Sequence, residues 1–395
     1  MATGITTKVY VNFIGRLSYA EILILATIPF IFSYKNMKKY DGFKVVILCL
    51  IFMTIIQIFS DIFNHTLFLD WARGISLLII SLLWIIFFVT NLSKNMGSVV
   101  YYLLGIAIIN LFVGQSLFEE ELWAQSNYFK MRAIPFLNIV LIVFSIYLST
   151  KGKQKSIVLI FLTFSFLCFY LAARSNGLIF LLSSALLALK IMRPNLNKLF
   201  FIWYSIILFF IMAGLYVVYV GQVLSNDFGG SNSIDQLSKA KNPYNPIELL
   251  YNGRVGTVVA AYAITEKPWL GYGSWARDIG GKYALLSAEI RGKKALDKSF
   301  IPSHSILIGT WLYMGFLGFL VVSYLYYYFI KLYLKIYFNR FNSVYLPLVT
   351  VLSIEMMWHF LFSPFGTLRT SFPIVISLLI VLNSDIVKNN NLKNP

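Results

Sequence analysis

Long apolar stretches constrain this chain more than any other feature. Eleven run along its 395 residues: Leu17–Tyr34, Phe43–Ser60, Ala72–Leu92, Ser98–Phe118, Ala133–Ser149, Ser156–Ala173, Ser175–Ile191, Lys198–Val220, Ser305–Ile330, Val344–Phe362 and Phe372–Val387. Each approaches the ~20 apolar residues that a helix needs to cross roughly 30 Å of hydrocarbon. Lipid offers no partner to a backbone N–H or C=O, so such runs satisfy their own hydrogen bonds as helices. The expected fold is all-α: a polytopic integral membrane protein with about eleven spans, twelve at most. One large extracytoplasmic loop containing short helices is expected between two bundles. The run Ser305–Ile330 carries Gly309, Gly315 and Gly318, and reads as one bent helix or as a short helix plus a span.

Composition supports lipid as the main solvent. Charged residues make up 12% of the chain, against about 25% in a soluble domain, and the mean hydropathy is +0.74. The net charge of +17 would suggest nucleic acid in a soluble protein. Here it reads first as topology, because Lys and Arg accumulate in cytoplasmic loops. With the N-terminus outside, sixteen cations fall in cytoplasmic segments and seven in the short outer segments, the other ten lying in a long loop that the rule does not count. The reading is N-terminus out, C-terminus in, with no nucleic-acid partner. Cys49 and Cys168 sit in apolar runs and read as small hydrophobes rather than a disulfide or metal set. No small-residue cleavage site follows the first apolar run, so it is expected to stay as an anchor.

The domain reading follows polarity. Residues 1–220 form an N-terminal transmembrane bundle of about eight helices, 221–304 the large extracytoplasmic loop, and 305–395 a C-terminal bundle of about three. The loop holds ten Lys or Arg with Asn, Ser, Gly and Pro, and a loop this long is usually functional or folded locally. Two stretches in it read as helical, Pro246–Glu266 and Asp278–Asp297, with turns across Lys267–Trp275 between them.

Three residues stand out as carriers of chemistry. Arg174 lies between two apolar runs with almost no loop, ahead of Ser175-Asn176-Gly177. A charge so near the hydrocarbon is costly, and it reads as an anion site at a helix N-terminus or as an arginine snorkelling to the headgroups. Arg254 opens a helical stretch in the loop, and its planar fork suits phosphate. Taken alone, a loop arginine is more often a solvated charge. His304 stands where the loop returns to the membrane and has a proton-transfer range near neutral pH. All three fall on the predicted outer face, which suits chemistry on a lipid-linked phosphate.

Weaker signals are set beside these. Glu355 and His359 lie one helical turn apart in an apolar run and read as a buried pair or as a polar element near the active cavity. Two ligands make a weak metal site, so no metal is expected. Gly271-Tyr272-Gly273 lacks the Thr-Val of a potassium filter. No Gly-rich loop ending in Gly-Lys-Ser/Thr is present, so direct ATP use is not expected. The Glu119–Glu121 run reads as a solvated outer turn.

With these residues in view, the chain resembles the O-antigen polymerase and O-antigen ligase superfamily of bacterial envelope glycosyltransferases. The likeness covers roughly Ser165–Ile330. It runs from Arg174-Ser-Asn-Gly-Leu-Ile-Phe-Leu-Leu through Asn252-Gly-Arg254 and Glu266-Lys-Pro-Trp-Leu-Gly-Tyr-Gly273. It closes on His304-Ser-Ile-Leu307 and Gly315-Phe-Leu-Gly318. Typical members carry His-Asn where this chain has His304-Ser305, and Ser-Arg-Gly where it has Ala173-Arg174-Ser175.

The resemblance implies a polymerase of lipid-linked repeat units of O-antigen, capsule or exopolysaccharide. Glycan on undecaprenyl pyrophosphate would pass to the sugar end of another lipid-linked unit at the outer leaflet. Arg174 and Arg254 would bind the pyrophosphate and stabilise its leaving charge. His304 would be the general base or would orient the acceptor hydroxyl. No cofactor is implied. Expected partners are the lipid-linked oligosaccharide, the bilayer, a chain-length regulator and a flippase. The expected location is the bacterial cytoplasmic (inner) membrane, with the site facing the periplasm or cell exterior. Within the same fold the rival is a ligase that transfers glycan to lipid A–core. A transporter or flippase is the rival from another class, and such proteins usually bind substrate at the membrane midplane.

Overall fold

The computed structural model describes residues 1–12, 16–31, 37, 39–113, 132–225, 228, 233–234, 237–238, 240–291, 300–339 and 343–393. The Glu119–Glu121 run lies outside the described residues. So do the ends of two apolar runs at Tyr34 and Phe118, and the 292–297 end of the second loop helix.

The described residues are overwhelmingly helical. After a short N-terminal helical turn come β1 (Tyr10–Asn12) and β2 (Arg16–Ser18), an antiparallel hairpin that the sequence reading did not anticipate. Then follow α1 (Tyr19–Ile31), α2 (Asp41–Phe63), α3 (Phe68–Lys94), α4 (Ser98–Val113), α5 (Ile134–Thr150), α6 (Gln154–Tyr170), α7 (Arg174–Met192) and α8 (Lys198–Leu224). The loop contributes α9 (Pro246–Gly253), α10 (Val255–Glu266) and α11 (Lys282–Arg291). The chain closes with α12 (Ile306–Phe338), α13 (Leu346–Phe362) and α14 (Phe372–Lys393). Five of these, α2, α3, α7, α8 and α12, are long and apolar enough to cross a membrane by length and composition. The chain is thus a multi-pass membrane protein. Helices α1, α4, α5, α6, α10, α13 and the Phe372–Ser384 part of α14 are shorter apolar helices.

Three expectations change in detail. Pro246–Glu266 is two helices, broken at Arg254, which has φ −127° and ψ 39° and caps the start of α10. Gly253 is a weak helix former at the break, and the Arg254 side chain is held elsewhere, as described below. The second loop helix starts at Lys282 rather than Asp278. Asp278 stays outside because its carboxylate accepts from the Tyr283 N–H at 3.2 Å and the Ala284 N–H at 2.7 Å, the work of a capping side chain. Third, Ser305–Ile330 becomes a short helix and a longer one joined at Gly315 (φ 70°, ψ −168°) and running on to Phe338. The break frees carbonyls that a continuous helix would use. The Leu312 and Tyr313 oxygens accept instead from the N–H groups of Tyr272 at 2.8 Å and Gly273 at 3.1 Å. Only glycine fits here, since a Cβ at 315 would stand 2.0 Å from the Trp269 carbonyl oxygen.

By contact the chain forms two compact units, Met1–Ile109 with Arg254–Tyr337 and Glu355–Pro395, and Asn110–Gly253 with Phe338–Ile354. The loop is therefore shared: residues up to Gly253 belong to the second unit and those from Arg254 to the first. This grouping follows contact, whereas the division at 220 and 304 follows polarity.

In the first unit, helix ends that the sequence reading puts on one side gather together. Glu21 near the start of α1 forms a bidentate ion pair with Arg369, just before α14. Asp61 at the end of α2 accepts from Ser274 N at 2.5 Å and Ser274 Oγ at 2.8 Å. Asp70 at the start of α3 takes Arg277 Nε at 2.6 Å. The loop residues also carry a core of their own, in which Val259, Ala260, Ala263, Ala276, Tyr283 and Ile301 are buried with Leu312 of α12. The loop is folded locally and tied to the ends of two apolar helices.

In the second unit, three-residue connections at 151–153 and 171–173 return α5, α6 and α7 as antiparallel neighbours. Phe161 and Phe164 of α6 meet Phe180 of α7 edge-on, at 5.2 and 4.8 Å. Ser165 Oγ donates to the Gly177 carbonyl at 2.7 Å.

Candidate functional site

Arg254 is positioned by the break that ends α9. Its Nη1 donates to the carbonyl of Phe362, the last residue of α13, and its guanidinium carbon lies 5.9 Å from the centroid of the Phe362 ring. The helix C-terminus presents partial negative charge, so a cation is favoured there. Burial pushes the Arg254 pKa below its ordinary value, although an arginine stays charged across the physiological range. This is a half-buried, docked cation rather than a solvated loop charge.

His304 is placed by two neighbours. The next residue, Ser305, donates from Oγ to the Phe360 carbonyl at 3.1 Å and accepts from the Ile308 N–H at 3.2 Å, so it both caps α12 and ties the segment to α13. The imidazole itself lies over the first turn of α10. A Cβ added at Gly256 would stand 2.3 Å from His304 Nδ1 and 3.3 Å from Pro302 Cβ. Gly256 is thus the space into which the ring packs. Two of the three residues singled out from sequence are brought together by one element: Arg254 binds, and the residue beside His304 binds, the last turn of α13.

His359 stands on that same turn, with Glu355 one turn before it. His359 Nε2 lies 3.8 Å from Glu355 Oε1, and His359 Nδ1 lies 2.7 Å from Ser363 Oγ. Sequence reasoning missed Ser363, although its spacing of four from His359 was legible. It also missed Asp61, Asp70 and Arg277, which fix the loop that carries Arg254. Acidic residues at the ends of apolar runs were the available signal.

Arg174 belongs to the second unit. It is the first residue of α7, after Ala172 at φ 58°, in the tight return from α6. In the same unit Tyr216 of α8 donates from its hydroxyl to the Pro243 carbonyl at 2.6 Å.

Among the described residues no group of three or more His, Cys, Asp or Glu stands close enough to hold a metal ion. The Lys282–Glu266 ion pair and the Tyr272–Tyr283 contact (2.7 Å between hydroxyls) lie on the loop. Hydrogen bonds from Lys282 first, and Tyr283 second, hold the Glu266 carboxyl below the usual carboxylate range. These groups brace α10 against α11. Comparison of the sequence with protein-family models finds no match, and comparison with curated proteins finds none either.

Proposed function

We propose that this protein polymerises lipid-linked oligosaccharide repeat units at the outer leaflet of a bacterial cytoplasmic membrane, with all eleven apolar segments crossing the bilayer. The donor is a glycan on undecaprenyl pyrophosphate, and the acceptor is the sugar end of a second lipid-linked unit. Attack of the acceptor hydroxyl on the anomeric carbon breaks the bond to pyrophosphate, which leaves with the electron pair. Arg254 holds that anion and stabilises its developing charge, a role that the resemblance also implies for Arg174. His304 handles the acceptor hydroxyl. Undecaprenyl pyrophosphate is already a good leaving group, so neither ATP nor a metal is required.

One observation supports this reading above the others. Arg254 and the His304–Ser305 segment, more than 45 residues apart in sequence, dock on the same terminal turn of a membrane helix. A cation for phosphate and a group able to move a proton are what transfer from a lipid pyrophosphate needs. Their place at the end of α13 favours an interfacial reaction over a transporter, whose site lies at the midplane.

Complementation tests the proposal. A strain lacking the protein is expected to display single repeat units. Wild type should restore long chains, while Arg174→Ala, Arg254→Ala and His304→Ala should not, at equal membrane expression. A null strain that displays no repeat unit and accumulates lipid-linked polymer outside would make the protein a ligase. Units trapped on the cytoplasmic side would make it a flippase.

A further inference from the structure

Glu355, His359 and Ser363 are spaced four residues apart, so they share one face at the end of α13. His359 bridges the other two. Its Nδ1 meets Ser363 Oγ at 2.7 Å, and its Nε2 faces Glu355 Oε1 at 3.8 Å. Ser363 lies one residue beyond the helix and next to Phe362, whose carbonyl holds Arg254. The side chains of His359 and Glu355 are 21% and 31% exposed, so neither is sealed from its surroundings. An ionisable residue in an apolar helix is costly and is retained mainly where it works. The serine and the histidine are within hydrogen-bond distance, so a proton can pass between them, and the carboxylate stands close enough to balance a charge on the ring.

Resting on the transfer reaction above, we propose that Glu355, His359 and Ser363 form the proton relay that deprotonates the acceptor hydroxyl. As the acceptor oxygen bonds to the anomeric carbon, its proton passes to Ser363 Oγ. The Ser363 proton passes to Nδ1 of a neutral His359 whose Nε2–H faces Glu355. The carboxylate then balances the imidazolium, and the proton returns to solvent through Ser363 once the product leaves. The C1–O bond to pyrophosphate breaks with its electron pair retained by the leaving group beside Arg254. Ser363 is the group that meets substrate, His359 is the proton acceptor, and Glu355 is a positioning residue. His304 is left to orient the acceptor.

The test uses full-length protein in vesicles, supplied with undecaprenyl-pyrophosphate-linked repeat units extracted from a strain lacking it. Extended glycan and released undecaprenyl pyrophosphate are measured together. His359→Gln keeps a hydrogen-bonding partner for Ser363 but cannot take up a proton. It should lower kcat by roughly 10²- to 10⁴-fold with KM little changed. Ser363→Ala should lose activity and Ser363→Thr, which keeps the hydroxyl, should regain it. If His359→Ala is inactive but His359→Gln is restored, the histidine is a structural spacer and the relay is overturned. Normal turnover in His359→Gln and Ser363→Ala beside an inactive Arg254→Ala overturns the relay alone and leaves the transferase reading standing. An inactive wild type removes both.

Discussion

His304 stands in a space that only a glycine at 256 leaves open. A methyl group there would meet the imidazole at 2.3 Å, well inside contact distance, while the α10 backbone would accept it readily. Alanine is in fact the better helix former, by about 1 kcal/mol. Gly256→Ala should therefore leave thermal stability in detergent nearly unchanged or raised, yet displace the ring. A shift of about 1 Å in a reacting group costs on the order of 10²-fold, and glycan transfer should fall by about that much. Activity equal to wild type would mean that the position of His304 does not matter. Arg254 tells a related story. Its bland reading as a solvated loop charge fails because its guanidinium reaches the end of another helix.

At the scale of elements, the loop is held by a few polar ties to the ends of apolar helices. Asp61 is one of them, and it takes both the N–H and the hydroxyl of the buried Ser274. Leaving such donors without an acceptor costs about 1–3 kcal/mol. Asp61→Ala should loosen the turn at 267–276 and speed its cleavage by protease in membranes, while the apolar helices stay protected. Unchanged cleavage would mean that the kink contacts at Gly315 suffice. Those contacts depend on α12 itself. Because the helix breaks, Leu312 and Tyr313 offer their carbonyls to the loop backbone, and the segment acts as half of a small intermolecular-style pairing within one chain. The glycines of that run were visible in sequence. Which of them breaks the helix was decided by the Trp269 carbonyl lying against Gly315.

For the whole molecule, the topology reading makes a prediction that needs no substrate. With the free cysteines Cys49 and Cys168 both buried, single cysteines introduced at Ser238 in the loop and at Lys153 between α5 and α6 report sidedness. A membrane-impermeant thiol reagent should label Ser238→Cys in intact cells and Lys153→Cys only after permeabilisation. The opposite pattern would invert the expected orientation and overturn the proposed outer-leaflet reaction with it. Sixteen cations in the segments read as cytoplasmic, against seven in the short segments read as outer, motivate the prediction. The gathering of Glu21 with Arg369, Asp61 with Ser274 and Asp70 with Arg277 adds that these helix ends share one end of the first unit.

Hydrophobicity acts through the number of consecutive apolar residues, which is a property of the sequence alone. The all-α class, the apolar helices and the long polar insertion were therefore legible without coordinates. Arg174 stood out because charge beside hydrocarbon is costly, Arg254 because a planar guanidinium suits phosphate, and His304 because an imidazole can move a proton near neutral pH. What the sequence lacked was distance. The break at Arg254, the seat of His304 over Gly256 and the partnership of Asp61 with Ser274 all join residues far apart along the chain. Such contacts depend on where helix ends meet and on which backbone groups a kink sets free. Local propensity does not encode these, so only the tertiary structure could decide that Arg254 and the His304 segment share the last turn of α13.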